Sequence, residues 1–241
     1  MRNVLVLCLL TFLIASSCGR RTITGKGEST TMDRTISENF SAISIEAPLT
    51  AKIHVRPGIQ SSVQFTGYKN IIEEIRTKVE QNTLVIEGKH SIDFDTDKDI
   101  LAEITVGSLS ELSIHGAADA KVDGAITGSE FNLVISGAGD VTVEKINVTN
   151  LNAKISGAGN VILLAGNVST AEYKVSGAGN INSFGIQANN VKAKVSGAGD
   201  IDVYASQTLE AKVSGAGTIQ YKGNASVKSE TSGIGSIIAA N

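Results

Sequence analysis

The sequence predicts an all-β protein, a single-chain β-solenoid whose C-terminal half holds about seven rungs and whose N-terminal half is β-rich but more degenerate. Three observations carry this. A Ser-Gly-Ala-Gly motif recurs at a period near 20 residues, apolar and polar residues alternate before each copy, and the 241-residue chain combines 25 Gly with no Trp, four Tyr, six Phe and two Pro. Gly is abundant without falling at every third position, which excludes collagen. Hydrophobic content of 41% and charged content of 19% exclude a chain disordered by composition. A net charge of −3 gives no electrostatic basis for binding nucleic acid.

In chain order, residues 1–17 read as a lipoprotein signal peptide. Arg2 supplies the positive charge, and Val4–Ala15 is an apolar run too short to span a bilayer. Ala15-Ser16-Ser17-Cys18 resembles a lipobox, although Ala15 stands where Leu is usual, so Cys18 is the expected lipidation site and new N-terminus. Cys8 falls within the segment to be removed, which leaves no intrachain disulfide partner for Cys18. Gly19 follows the Cys, so an Asp that would retain the protein at the inner membrane is absent. Export and anchoring to a bacterial outer membrane through an N-terminal lipid are therefore expected. Residues 18–35, rich in Thr, Gly and Arg, are expected to form a flexible tether.

Residues 36–107 form the degenerate half. Ile43, Ile45 and Ala47 alternate with polar neighbours, as do Ala51, Ile53 and Val55. Arg56-Pro57-Gly58 marks a turn, the spacing of Tyr68, Ile71, Ile72 and Ile75 predicts a short helix around 70–75, and Val79–Leu84 predicts a tight hairpin. This half is expected either to continue the rungs or to cover the first of them.

Residues 108–241 hold the regular repeats. Copies begin at Ser136, Ser156, Ser176, Ser196 and Ser214, with degenerate copies at His115 and Ser232, spaced 21, 20, 20, 20, 18 and 18 residues. Before each motif one strand face is apolar (Leu151, Ala153, Ile155; then Ala171, Tyr173, Val175), and the other carries residues such as Asn152 and Lys154. A second strand follows each motif, starting at Val141, Val161, Ile181, Ile201, Ile219 or Ile237. Two strands per unit, turning at Gly-Ala-Gly and stacked in parallel register about 4.8 Å apart, make a solenoid rung. The glycines suit a corner that needs positive φ or close backbone approach. A narrow interior of Ile, Val, Leu and Ala explains the scarcity of aromatics. The Asp/Asn column at 119, 140, 160, 180 and 200 is expected to stack beside the corner and bond to itself or to backbone.

With these residues in hand, the chain resembles the putative auto-transporter adhesin, head GIN domain family of Bacteroidetes envelope proteins, over roughly 37–241. The repeated Ser-Gly-Ala-Gly-[Asp/Asn]-[Val/Ile] and the upstream Asn70-Ile-Ile-Glu-Glu-Ile75…Leu84-Val-Ile86 segment carry the likeness. The resemblance implies a β-helical domain in secreted or lipid-anchored proteins and a role in adhesion. It implies no established ligand and no catalytic residues.

The candidate chemistry is sparse. Gly-Ala-Gly is followed by a strand and not by a helix, so it reads as a corner and not as a phosphate loop. Calcium β-rolls repeat every nine residues, unlike this period. Asp93, Asp95, Asp97 and Asp99 alternate with Ile92 and Phe94, which predicts one acidic strand face; a helix-loop-helix calcium site fails because Lys98 and Ile104 occupy the positions that need Gly and Glu. A solvated acidic surface or a weak site for a cation or basic partner remains. His54, His90 and His115 are scattered, and the repeated Ser has no base beside it.

No cofactor, metal site or catalytic residue is expected. The strongest surface pattern is the lysine column Lys154, Lys174, Lys194 and Lys212, either a solubilising face or a docking stripe for anionic glycan or lipid headgroups. Glycan or protein ligands are the expected partners, and the C-terminal end is expected to be covered by a second copy of the chain or another protein. The leading expectation is a non-catalytic envelope protein that presents a rigid surface for adhesion or assembly. A polysaccharide-acting β-helix enzyme and a structural or stress-related envelope accessory are the alternatives.

Overall fold

The structure, a computed structural model, describes residues 21–89 and 92–240. Cys18 and His90 lie outside the described residues. The N-terminal half contains β1 (Arg21–Thr24), β2 (Ser29–Arg34), β3 (Ala42–Ile45), β4 (Thr50–Val55), β5 (Ser62–Tyr68), α1 (Lys69–Ile72), β6 (Ile75–Glu80), β7 (Thr83–Gly88), β8 (Ile92–Asp95) and β9 (Leu101–Val106). The C-terminal half continues with β10 (Glu111–Ala117), β11 (Asp119–Ala138), β12 (Asp140–Ile155), β13 (Asn160–Leu163), β14 (Gly166–Val175), β15 (Asn180–Val195), β16 (Ile201–Gly215), β17 (Thr218–Lys222), β18 (Ser226–Gly233) and β19 (Ser236–Ala239). Together they make a β-solenoid of about six turns, slightly fewer than the repeat count suggests.

Each regular rung has three walls where the sequence pattern suggests two. In β12 the buried positions are Val141 and Val143, then Ile146 and Val148, then Leu151, Ala153 and Ile155. Alternation slips by one residue at Glu144–Lys145 and again at Thr149–Asn150, where two consecutive side chains face outward and the chain bends. The register with β14 skips at the second bend, and the same phase slips recur one rung on, around Leu164–Ala165 and Ser169–Thr170. The first wall therefore runs through 140–143, the second through 145–148 and the third through 150–155. Strict stacking aligns Leu133, Ala153, Tyr173, Ala193 and Ala211 in one interior column. Tyr173 is the one bulky member and is almost wholly buried, its hydroxyl without a hydrogen-bond partner. Burial pushes its phenol well above the usual value.

The N-terminal half caps this stack. β3 and β4 lie parallel on β10 and β11 and so add a rung to the third and first walls. β7 and β9 add another parallel layer. The pairing then reverses: β6 is antiparallel to β7, β5 to β9, and β2 to β5, so the outermost strands no longer follow solenoid geometry. The predicted hairpin is present, with Gln81 (φ 48°) and Asn82 (φ 66°) both left-handed, as a two-residue turn of type I′ requires. The predicted helix is a single turn. Ser29–Arg34, expected within a flexible tether, is instead the edge strand β2, and Arg21–Thr24 is β1, paired in parallel with β8. Arg34 reaches over the Phe65 ring and donates to the carbonyls of Ile72 and Ile75, contacts with distant segments that local composition does not reveal.

At the other end the interior columns turn polar. Leu209, Ala211 and Val213 are followed in β18 by Val227, Ser229 and Thr231, all exposed. Ile234 is 90% exposed and Ile238 45%.

The corners explain the glycines. The amide of Ala178 donates to the carbonyl of Gly157, and Ala158 and Ala198 repeat the bond to Gly137 and Gly177, each at 2.9 Å. This pulls successive Gly α-carbons against the carbonyls beneath them. A Cβ added at Gly157 or Gly177 would overlap the carbonyl oxygen of the Gly one rung before. Neither residue has a left-handed φ, so close approach, and not conformational freedom, is what demands Gly there. Gly177→Ala is therefore expected to cost at least about 2 kcal/mol by forcing the rungs apart, whereas Ala178→Ser, on the exposed side of the same corner, should stay within about 0.5 kcal/mol. Urea denaturation midpoints of the two variants check this, and equal shifts would contradict it.

Candidate functional site

The third wall carries the lysine column. Lys154, Lys174, Lys194 and Lys212 are direct register partners from rung to rung, so their side chains leave the same face about 4.8 Å apart. The column begins after Val134 and ends at Glu230. Beside it runs Asn152, Glu172, Lys192, Glu210 and Lys228. From 150 to 233 this wall holds six Lys against three Glu, a basic surface on a chain of net charge −3.

Neighbouring acids neutralise part of it. Lys174 pairs with Glu172, Lys212 lies 2.8 Å from Glu230, and Lys192 approaches Glu210 at 4.0 Å. Among the described residues Lys154 and Lys194 make no ion pair within 4.0 Å. The Lys212 hydrogen bond and charge, with smaller contributions from Lys228 and Lys194, hold the Glu230 carboxyl below its usual range. Two shallow grooves lie along the column, one of about 280 Å³ between Asn132 and Lys174 and one of about 160 Å³ among Lys174, Lys192, Lys194 and Lys212. All these ammonium groups are solvated, so the ion pairs contribute little to stability and leave the charge available to a ligand.

The Asp/Asn column lies at the start of the first wall and is occupied with its own stack. Asp119 Oδ1 accepts from the Asp140 amide (2.8 Å), Asp140 Oδ1 from the Asn160 amide and Nδ2 (3.1 and 2.8 Å), and Asn160 Oδ1 from Asn180 Nδ2 (2.9 Å). Asn180 Oδ1 then accepts from the Asp200 amide (2.9 Å), and Asp200 Oδ1 from the Thr218 amide (2.7 Å). These side chains satisfy backbone donors at the corner, the role expected from the sequence.

The acidic cluster does not form one strand face. β8 ends at Asp95, and the chain turns through 96–99, where the Thr96 hydroxyl accepts from the Lys98 amide (3.1 Å). Asp95 accepts from the Thr24 hydroxyl (3.2 Å), which ties β8 to β1. Asp97 accepts from the Tyr68 hydroxyl (2.8 Å), a bond that raises the Tyr68 phenol. Lys98 lies over the Tyr68 ring at 4.6 Å. Asp93 and Asp99 are exposed. The alternation predicted a longer strand because it did not register the turn. No group of three or more His, Cys, Asp or Glu able to hold a metal ion occurs among the described residues.

One charged constellation was not legible in the sequence. His54 Nδ1 and Arg56 each lie 2.8 Å from the Asp123 carboxylate, across the β4–β11 pairing. The residues are 69 positions apart, and only the stacking of the cap on the first rung brings them together. His115 stands in register with Ser136 at a corner and is exposed, a structural place.

The family described as "Putative auto-transporter adhesin, head GIN domain" matches residues 39–225, which span the cap from β3 onward, the glycine corners as far as Gly217 and the whole lysine column. The chain belongs to this family. Among solved structures, a putative adhesin from Bacteroides fragilis NCTC 9343 is 28% identical with a TM-score of 0.84, covering 90% of this chain and 100% of that one. A putative adhesin from Parabacteroides distasonis ATCC 8503 is 20% identical with a TM-score of 0.74, covering 91% of this chain and 100% of that one. A putative lipid binding protein from the same organism is 24% identical with a TM-score of 0.72, covering 92% and 100%. These last two likenesses speak for the fold. No curated protein matches the chain.

In this head GIN domain the His54–Arg56–Asp123 contact joins cap to solenoid. Burial alone would raise the Asp123 carboxyl, but the hydrogen bond and charge of His54, together with Arg56, hold it below its usual value. A carboxyl lowered in the folded state contributes stability above its unfolded pKa and loses it as pH falls through the folded pKa. The contribution is therefore present at neutral pH and is lost progressively as pH falls below about 4. Because these side chains are 30–47% exposed, it should not exceed about 1 kcal/mol. Asp123→Asn should lower Tm at pH 7 and by clearly less at pH 3 relative to the parent. An equal loss at both pH values would contradict this account.

Proposed function

We propose that the protein is a non-catalytic, lipid-anchored component of the cell envelope that uses its solenoid as an adhesive surface, with the third wall docking anionic groups. The observation that carries this reading is the register of Lys154, Lys174, Lys194 and Lys212 on a chain that is otherwise acidic. A rigid row of cations one rung apart suits a polyanion, because one strand of ligand meets several charges at once without ordering any loop. Membership of a family described as adhesins supports the role, and the signal-like segment ending at Cys18 supports the lipid anchor. In the envelope, many copies side by side would convert weak single contacts into firm attachment.

The anionic group has two sources, a sulfated or carboxylated glycan and a phospholipid headgroup, which are distinguished by offering each separately to parent and variant. Exposed charge pairs are worth about 0.2–1 kcal/mol each, so replacing all four lysines with Ala should weaken binding by about fourfold or more. The measurement is binding of the mature chain to immobilised heparin-type oligosaccharide and to phosphatidylglycerol vesicles, at low and high salt. Salt-sensitive binding to either, lost in the quadruple variant, supports the basic wall. Binding unchanged by the variant removes that wall from the account. Complete resistance of the protein to protease added to intact cells would contradict an outward-facing adhesive role.

A further inference from the structure

The second wall presents a surface of different chemistry that the lysines do not use. Its outward column runs Asn147, Asn167, Gln187 and Tyr204, in register from rung to rung. Thr149 and Ser169 stand beside it at the bend into the third wall. These residues line a shallow, open cleft of about 490 Å³, larger than either groove along the lysines, and no charged side chain contributes to it.

Part of the lining is bonded to itself, as where the Ser206 hydroxyl donates to Asn189 Oδ1 at 3.1 Å, and part is left open for a ligand. Asn147 Oδ1 accepts from the Asn167 amide at 3.2 Å, with Asn167 Nδ2 at 3.5 Å, which leaves the Asn147 NH₂ without a partner among the described residues. The side chains of Gln187, Tyr204, Thr149 and Ser169 bond to no other described residue. Tyr204 is half-buried at the C-terminal end of the column, where it offers a ring face and a hydroxyl.

We infer that this cleft binds a neutral oligosaccharide laid along the solenoid axis. The alternatives meet physical obstacles. A charged ligand finds no counter-charge in the cleft, and a nucleic acid none of the cations its phosphates need. An apolar ligand would strip water from several amides and return no hydrogen bond. An extended peptide adding as a strand needs an open backbone edge, and the strands beneath Asn167 and Gln187 are paired on both sides. Sugar hydroxyls both donate and accept, as Asn, Gln, Ser and Thr side chains require, and the apolar face of a pyranose fits a tyrosine ring. The rung spacing of about 4.8 Å resembles the advance per unit of an extended pyranose chain, so successive sugars can meet successive rungs. Because the paired strands fix the backbone, binding orders side chains only and no loop.

The test uses the mature chain with cellohexaose, laminarihexaose, mannohexaose and xylohexaose, and with a heparin-derived hexasaccharide as charged comparator, by calorimetry at two salt concentrations. The expected result is binding of at least one neutral hexasaccharide that does not weaken at high salt. It should weaken tenfold or more in Tyr204→Ala and in Gln187→Ala, and only modestly in Tyr204→Phe, with all three variants keeping the parent's circular dichroism and Tm. The four-lysine variant should bind the neutral sugar as the parent does, which separates failure of this site from failure of the basic wall. No binding of any neutral hexasaccharide overturns the inference. So does neutral binding that survives both Tyr204→Ala and Gln187→Ala, or competition by an extended neutral peptide at equal strength.

Discussion

The fold depends on one contact repeated at the Gly-Ala-Gly corner of the regular rungs: an alanine amide donates to the glycine carbonyl one rung below, and the glycine above has no Cβ to keep the two backbones apart. That contact fixes the axial spacing at the value of a parallel β-ladder and locks the register. Once register is locked, every residue position becomes a column. Inward positions become ladders of Val, Ile, Leu and Ala, and outward positions become stripes of one chemical type. Columns of small and branched residues leave a thin interior, which is why Tyr173 is conspicuous among Ala153, Ala193 and Ala211.

Much of this was legible because the repeat writes it several times. The Ser-Gly-Ala-Gly spacing located the corners, the alternation before each motif located the third wall, and the Asp/Asn and Lys columns lie where the period placed them. What the sequence concealed was of two kinds. The second wall is only a few residues long, and its apolar members Ile146 and Val148 fall out of phase with Val143 and Leu151, so a search for unbroken alternation passes over it. The remaining features depend on contacts between distant segments. β2 is held by antiparallel pairing to β5, the Asp93–Asp99 stretch is broken by a turn beside Tyr68, and His54 meets Asp123 only through the stacking of cap on rung. No local composition encodes those meetings, and the residues carrying them occur once.

Both proposed ligand surfaces follow from the same frame. The third wall bears a row of cations and the second a row of amides and hydroxyls ending at Tyr204, two chemistries separated by a single bend of the chain. Neither requires a loop to close on binding, so the solenoid contributes chiefly a pre-organised backbone. Such a scaffold suits weak, repeated contacts with a linear polymer. The antiparallel cap protects one end of the stack, while at the other the interior columns fade into Ser229 and Thr231, which tolerate water.

The most direct test of the central claim, strict rung-to-rung register, is disulfide trapping between outward cysteines on the third wall, with Cys18 replaced by Ser. Cysteines at 174 and 194 are direct register partners, about 4.8 Å apart along the axis, within the range a disulfide bridges. Cysteines at 154 and 194 lie two rungs apart, beyond it. The account predicts rapid intramolecular oxidation of the first pair under mild oxidant and none of the second. Failure of the first pair to close, or equal closure of both, would contradict the register on which the fold and both surfaces rest.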